Sequence, residues 1–158
     1  MKASDIERLT FTPFHTSKIL HHFLSGINSV NKNGIKTELI YLVLSFIHSE
    51  KIQKKLENLK KTSKFNNFID NPEFDIFFND INDNIQKFRR STNNAIIVLS
   101  NDVKLNIDKF INPEITIDYK TEKDNYLKRI YKSAFNLGVI LGKEDYISVI
   151  KKLRLTEI

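Results

Sequence analysis

The chain has 158 residues, of which 41% are hydrophobic and 28% are charged, and it contains no cysteine. This length and composition predict a globular domain and exclude a globally disordered chain, while the lack of cysteine excludes disulfides and thiolate metal sites. The net charge of +6 is compatible with an anionic partner, although lysine on ordinary solvated surface explains it equally. No apolar run approaches the roughly 18 residues of a membrane span, and residues 1–11 lack a signal peptide's apolar centre, so we expect a cytoplasmic protein that does not contact a membrane.

The first third of the chain predicts two helices separated by a turn. Residues 14–30 carry apolar side chains at helical spacing: Ile19, Leu20, Phe23, Leu24, Ile27 and Val30. Residues 31–34 form a turn signal in which Gly34 can adopt positive φ. Residues 38–47 are apolar nearly all round, with Thr37 as a predicted N-cap, so a helix here belongs at the centre of the core. A buried strand is the alternative for this segment.

The middle of the chain predicts four further helices, over residues 50–61, 64–69, 72–90 and about 91–100. The third has the clearest periodicity: Phe77, Phe78, Ile81, Ile85 and Phe88 follow Phe74 at +3, +4, +7, +11 and +14. Ser91 or Thr92 is the predicted N-cap of the fourth helix. The sequence therefore places a break between these two helices near residue 91.

The hydrophobic period then changes from that of a helix to that of a strand. Apolar and polar residues alternate over 103–107 and again over 115–119, with a loop through residues 112–113 between them. The order of helix, turn, helix and β-hairpin is that of a winged helix, over about residues 62–120. Two C-terminal helices follow, one ending at Gly142 and the other over residues 144–153.

These elements predict a mainly α protein with a small β-hairpin (α+β), in which a winged-helix-like core has additional N- and C-terminal helices. No repeat or low-complexity linker divides the chain, so residues 1–158 are predicted to form a single compact domain.

No catalytic motif or cofactor-binding motif is present in the sequence. His21 and His22 are neighbours on the polar side of the first helix and make a poor metal pair, because adjacent helix positions do not face one another. His15 and His22 share a face but have no acidic companion. We therefore expect no enzyme activity, no metal and no cofactor; an enzyme with a site at His15, His22 or His48 is the alternative.

Nucleic-acid contact is a second possibility, because the helix before the hairpin of a winged helix can enter the major groove. The candidate backbone contacts are Lys87, Arg89, Arg90, Lys104 and Lys109. Asn93 and Asn94 are candidates for base or phosphate contacts. Residues 92–100 contain no Lys or Arg, which argues against a sequence-specific reader.

Twelve Phe and five Tyr are many for a small domain. Aromatic side chains anchor protein interfaces, so some of them are candidates for a partner-binding surface. The candidates are Phe14, Tyr41, Phe46, Phe110 and Tyr119. The alternative is that these side chains fill the core.

Several segments together resemble a known family. They are Phe-Thr-Pro-Phe at residues 11–14, the Gly-led hydrophobic helix ending in His at 34–48, Thr-Ser-Lys-Phe at 62–65, Arg-Ser-Thr-Asn-Asn-Ala at 90–95, Ala-Phe-Asn-Leu-Gly at 134–138 and the tail at 146–155. In this order they resemble the middle component of bacterial three-component ABC ATPase conflict systems, which include the accessory subunit of Lamassu-type antiphage systems.

The resemblance implies an adaptor without catalytic residues. A separate SMC- or Rad50-like ABC ATPase senses DNA in such systems, and a separate effector, often a nuclease, acts on the cell or the phage. The chain then joins the two, with double-stranded DNA as a further partner inside the complex. A stand-alone winged-helix DNA-binding regulator is the alternative function.

Overall fold

A computed structural model describes residues 12–158. Within this range the α-helices are α1 (Pro13–Val30), α2 (Val43–His48), α3 (Glu50–Glu57), α4 (Phe65–Ile69), α5 (Asp75–Asn79), α6 (Ile81–Asp102), α7 (Asn125–Gly142) and α8 (Tyr146–Leu153). The strands are β1 (Ile35–Lys36), β2 (Leu105–Ile107) and β3 (Phe110–Pro113), and short 3₁₀ helices cover Thr37–Leu42, Pro72–Phe74 and Tyr119–Thr121. The prediction of a mainly α protein with a small β element is confirmed. None of the described helices is long and apolar enough to cross a membrane.

The first and seventh helices form the centre of the fold. Helix α1 begins where Thr12 Oγ1 accepts a hydrogen bond from the backbone N–H of His15, and its apolar stripe is buried as predicted except for Val30, which is exposed. Helices α1 and α7 run in the same direction and lie unusually close together. A Cβ atom added at Gly26 would lie 2.0 Å from the backbone oxygen of Phe135, and one added at Gly138 would lie 2.1 Å from that of Phe23. Only glycine permits this approach of the two backbones.

The apolar segment after the turn lies in the core, as predicted, but it begins as a 3₁₀ helix and becomes the α-helix α2 only at Val43. The prediction that Thr37 caps it is wrong. The Thr37 hydroxyl donates to the backbone oxygen of Asp108 at 2.7 Å, and its N–H donates to that of Lys109 at 3.1 Å. Thr37 therefore ties this segment to the hairpin. Gly34 has φ +82°, which confirms the predicted turn.

The predicted break near residue 91 is absent, because α6 runs without interruption from Ile81 to Asp102. Its buried stripe continues in register: Ile81, Ile85, Phe88, Thr92, Ala95 and Leu99. One helix buries this whole stripe, and Thr92 is buried within it instead of capping a new helix. The break lies at Asp80, between α5 and α6. The helix before the hairpin is thus the second half of a long helix, and the winged-helix arrangement is not confirmed.

The hairpin also differs from its prediction. Strands β2 and β3 pair in antiparallel fashion with Ile107 opposite Ile111, so the chain turns at residues 108–109 and Pro113 belongs to a strand. Strand β1 pairs with the other side of β3 and completes a sheet of order β1-β3-β2. Residues 115–119, predicted as a strand, are bound to α1 instead. His21 Nε2 donates to the backbone oxygen of Ile115 at 2.7 Å, and the N–H of Ile117 donates to Ser25 Oγ at 3.0 Å.

The C-terminal helices follow their predictions closely. Helix α7 ends at Gly142, and α8 begins after Asp145, whose side chain accepts from the N–H of Ser148. Beyond α8 the chain passes along α6, where Asn82 Nδ2 donates to the backbone oxygen of Arg154 and the N–H of Thr156 donates to Asn82 Oδ1. The last residues therefore lie beside the first turns of α6.

Candidate interaction surface

Helix α6 carries five of the seven residues that the sequence predicts to contact nucleic acid: Lys87, Arg89, Arg90, Asn93 and Asn94. The buried stripe holds one side of this helix against the core, so Lys87, Arg90, Asn93 and Asn94 are exposed, whereas Arg89 lies beside the stripe and is half-buried. Asn93 follows Arg89 by one turn, and Asn94 follows Arg90 by one turn, so each pair shares one row of the helix surface. The structure therefore brings the two arginines and the two asparagines together.

Tyr41 joins the first of these pairs to the central segment. Its hydroxyl donates to Asn93 Oδ1 at 2.6 Å, and the Arg89 guanidinium lies 4.8 Å from the centroid of its ring. Arg89 Nε also donates to Gln86 Oε1 at 3.1 Å. We call these four residues, Tyr41, Gln86, Arg89 and Asn93, the Tyr41–Arg89 cluster. The cluster fixes the Arg89 side chain from two directions.

The two predicted hairpin cations are not part of this cluster. Lys104 and Lys109 follow the end of α6 at Asp102. The hairpin turn returns to the segment that contains Tyr41, because the N–H of Thr37 donates to the backbone oxygen of Lys109. Lys104 Nζ lies 3.6 Å from Glu114 Oε1, so its charge is partly neutralised. Five of the seven predicted residues therefore share α6, and the other two lie in the hairpin region.

Four of the five aromatic residues predicted for a partner interface reach the surface. Phe14 is 59% exposed beneath the Lys18 ammonium group, and Phe110 is 44% exposed beneath that of Lys36. Tyr41 and Tyr119 are half-buried. Among the described residues, no two of these four rings are in contact with each other.

The prediction that Phe46 belongs to a partner interface is wrong, because its side chain is 0% exposed. It lies against other rings, with centroid distances of 5.2 Å to Phe77, 6.1 Å to Phe78 and 6.3 Å to Phe68. Phe46 thus belongs to the core, where it joins α2 to the segment from α4 to α5.

A groove of about 1120 Å³ lies between α3, α5, α6 and α7 and was not predicted from the sequence. Ile76 and Tyr126 are exposed at its margin. Its charged side chains are of both signs: Lys51, Lys54, Lys87, Arg129, Glu50, Glu73 and Asp80. The one sequence signal was Ile76, an apolar residue that lies off the buried stripe of its segment.

The histidines of α1 lie deeper than the sequence suggests. His21 and His22 are both buried, because α1 is covered by α7 on one side and by residues 115–117 on another. The His22 ring stacks on that of Tyr131 at a centroid distance of 4.4 Å. The His48 ring stacks on Phe88 at 4.8 Å. Within residues 12–158, no three His, Cys, Asp or Glu side chains are grouped as metal ligands would be.

Burial keeps these histidines neutral. Loss of solvation lowers the pKa of His22 to about 4, with the nearby His21 adding to the effect, and it also lowers the pKa of His48 to about 4. The pKa values of His15 and His21 are lowered for the same reason. Burial raises the pKa of the Tyr131 hydroxyl to about 12. The arrangement is therefore that of a packed interior rather than of an acid–base site.

We expect the free energy of unfolding to fall as the pH is lowered from 7 toward 4. In that window the unfolded chain protonates its histidines near pH 6.5, whereas the folded chain does not protonate His22 until about pH 4. His22 alone then costs about 2 kcal/mol at pH 5. Urea unfolding of the His22→Phe variant, which keeps a ring against Tyr131, should show a pH dependence weaker by that amount. If the free energy of unfolding changed equally with pH in the variant and in the wild type, this account would be contradicted.

Comparison with protein families gives one match. The model of the family described as ABC-three component (ABC-3C) system Middle Component 3, or MC3, matches residues 1–156. No curated protein and no solved structure matches the chain. Since the match covers nearly the whole chain, the chain belongs to the MC3 family and is a middle component of an ABC three-component system.

Proposed function

We propose that the chain is a non-catalytic adaptor subunit that links an SMC- or Rad50-like ABC ATPase to an effector, often a nuclease, in a Lamassu-type antiphage defence complex. The observation that carries this proposal is the match of a middle-component family to residues 1–156. A middle component belongs to a system of several proteins, so its surface has to recognise other components. The proposal places the complex in the cytoplasm.

The distribution of exposed apolar side chains supports a linking role. An adaptor contacts two proteins at once and needs two separate surfaces. Ile97 is exposed on α6 near the Tyr41–Arg89 cluster, whereas Ile76 and Tyr126 are exposed at the margin of the groove. Each of these two places thus offers apolar side chains that a protein partner can bury next to polar groups.

Direct DNA binding by this subunit alone has weaker support. Of the five cations that the sequence assigns to a DNA backbone, three lie in the middle of α6 and two lie in the hairpin region that follows it, where Lys104 is paired with Glu114. A chain charge of +6 still favours DNA as a neighbour inside the complex. We therefore propose that DNA is a partner of the assembled complex and that this chain is not an isolated DNA-binding regulator.

Co-purification tests this proposal. The tagged chain is expressed together with the genes that neighbour its own, captured after nuclease treatment and analysed by mass spectrometry, with the untagged chain as control. We expect a large ABC ATPase and an effector to be recovered in fixed proportion to the tagged chain. Recovery of the chain alone, or with nucleic acid only in the untreated sample, would overturn the adaptor and favour the DNA-binding regulator.

A further inference from the structure

We propose that the Tyr41–Arg89 cluster, together with Arg90 and Ile97, is the docking surface for an acidic segment of another protein component of the system. This inference rests on the proposed function and adds the chemistry of the partner. Arg89 is the anchor, because its guanidinium is already stacked on Tyr41 and bonded through Nε to Gln86. A side chain held in this way loses little conformational entropy when it binds.

The charges of the surface select an anionic partner. Arg89 and Arg90 are adjacent, and no carboxylate of residues 12–158 lies within ion-pair distance of either guanidinium. The only hydrogen bond that the Arg89 guanidinium donates within this range is the one from Nε, so its Nη edge is open for a further acceptor. A guanidinium binds a carboxylate through two parallel hydrogen bonds, which suits an Asp or Glu side chain.

The surroundings select protein over DNA. Ile97 is 60% exposed and follows Arg90 by two turns and Asn93 by one turn, so it lies on the same side of α6. An apolar side chain in this position has nothing to gain from phosphate groups, but it can be buried against an apolar residue of a protein. Tyr and Arg are also the residues that most often dominate protein interfaces.

The network behind the anchor is continuous with the C-terminal tail. Gln86 Oε1 accepts from Arg89, and Gln86 Nε2 donates to the backbone oxygen of Glu157 at 3.1 Å. Asn93 is bound in turn by Tyr41. Two elements distant in sequence thus support Arg89: Tyr41 contacts it directly, and the C-terminal tail binds Gln86.

The test uses the complete chain with the purified ATPase and effector of its own system. We compare the wild type with Arg89→Ala, Arg89→Lys and Arg89→Glu, and measure the dissociation constant for each component and for a DNA duplex at 0.1 M and 0.5 M NaCl. The matched control is Lys109→Glu, an exposed cation of the hairpin turn that is not part of the cluster. Unfolding curves check that each variant is folded.

We expect Arg89→Ala to weaken binding to one component roughly 30-fold. Arg89→Lys should recover only part of this loss, because lysine keeps the charge but not the planar fork, and Arg89→Glu should abolish binding. Lys109→Glu should leave binding within about two-fold of the wild type. A photo-crosslinking residue at Asn94 should attach to a peptide rich in Asp and Glu.

Each contrary result has a distinct meaning. If the wild type binds the other components and all Arg89 variants bind equally well, the proposed docking surface is wrong, but the proposed adaptor function is not contradicted. Equal losses in Arg89→Glu and Lys109→Glu would show unspecific attraction and overturn the surface. If the Arg89 variants bind duplex DNA more weakly but bind the protein components as the wild type does, the ligand of this surface is DNA and not an acidic protein segment. If the wild type binds no component, both proposals fall.

Discussion

Replacing Phe46 by alanine is expected to lower the free energy of unfolding by about 4 kcal/mol. The Phe46 side chain is fully buried and packs against three other phenylalanine rings that come from α4 and α5. Its removal leaves a cavity that these rings cannot fill, because their own segments are held by other core contacts. Urea titration at pH 7, followed by far-UV circular dichroism, measures the effect.

The matched control is Phe110→Ala on β3. The Phe110 ring is 44% exposed, so its removal should cost about 1 kcal/mol or less. Phe46→Leu should lie between the two alanine variants, because leucine fills part of the cavity. A stable Phe46→Ala protein that has lost a binding partner would restore Phe46 to the interface and contradict its place in the core.

Replacing Gly138 by alanine is expected to destabilise the fold by about 3 kcal/mol, although alanine is the better helix former. The new Cβ would lie 2.1 Å from the backbone oxygen of Phe23 and 2.9 Å from the backbone nitrogen of Ile27. These are backbone atoms in the middle of α1, so α1 and α7 have to move apart. Gly26→Ala should have a similar effect, since its Cβ would meet the backbone oxygen of Phe135 at 2.0 Å.

Ser29→Ala is the control for the glycine variants, because Ser29 is exposed on the same helix, one turn after Gly26. It should change the free energy of unfolding by about 0.5 kcal/mol or less. If Gly138→Ala raised the thermal midpoint, as helix propensity alone predicts, the close approach of α1 and α7 would be wrong.

Hydrophobic periodicity predicted most of the helices, because a buried stripe is recorded locally in the sequence. It failed at residue 91, where Ser91 and Thr92 are good N-cap residues but the stripe of α6 continues through Thr92. The capping preference of about 1 kcal/mol is smaller than the burial that the continuous helix gains. Local preference was therefore outweighed by packing.

The sheet was harder to predict because its pairing is not local. Residues 115–119 alternate like a strand, yet side chains of α1, almost a hundred residues earlier, bind their backbone. Strand β1 is only two residues long and has no pattern that can be recognised before its partner is known. Such contacts depend on the tertiary arrangement, which a single sequence does not display.

The candidate surface was predicted in part. The helical spacing of Arg89 and Asn93 places them on one row of a helix, and this follows from the sequence alone. Their contact with Tyr41 does not follow, since Tyr41 comes from the segment before α2, 52 residues away from Asn93. The groove could not be predicted for the same reason, because four segments that are separate in the sequence form its walls.

Reconstitution from purified components tests the linking role most directly. The ATPase, the effector and this chain are mixed in all pairs and as a trio, and the masses of the complexes are measured by size-exclusion chromatography with light scattering after nuclease treatment. We predict that the ATPase and the effector enter one complex only when this chain is present, and that the chain binds each of them separately. Formation of the same ATPase–effector complex without this chain would contradict the adaptor.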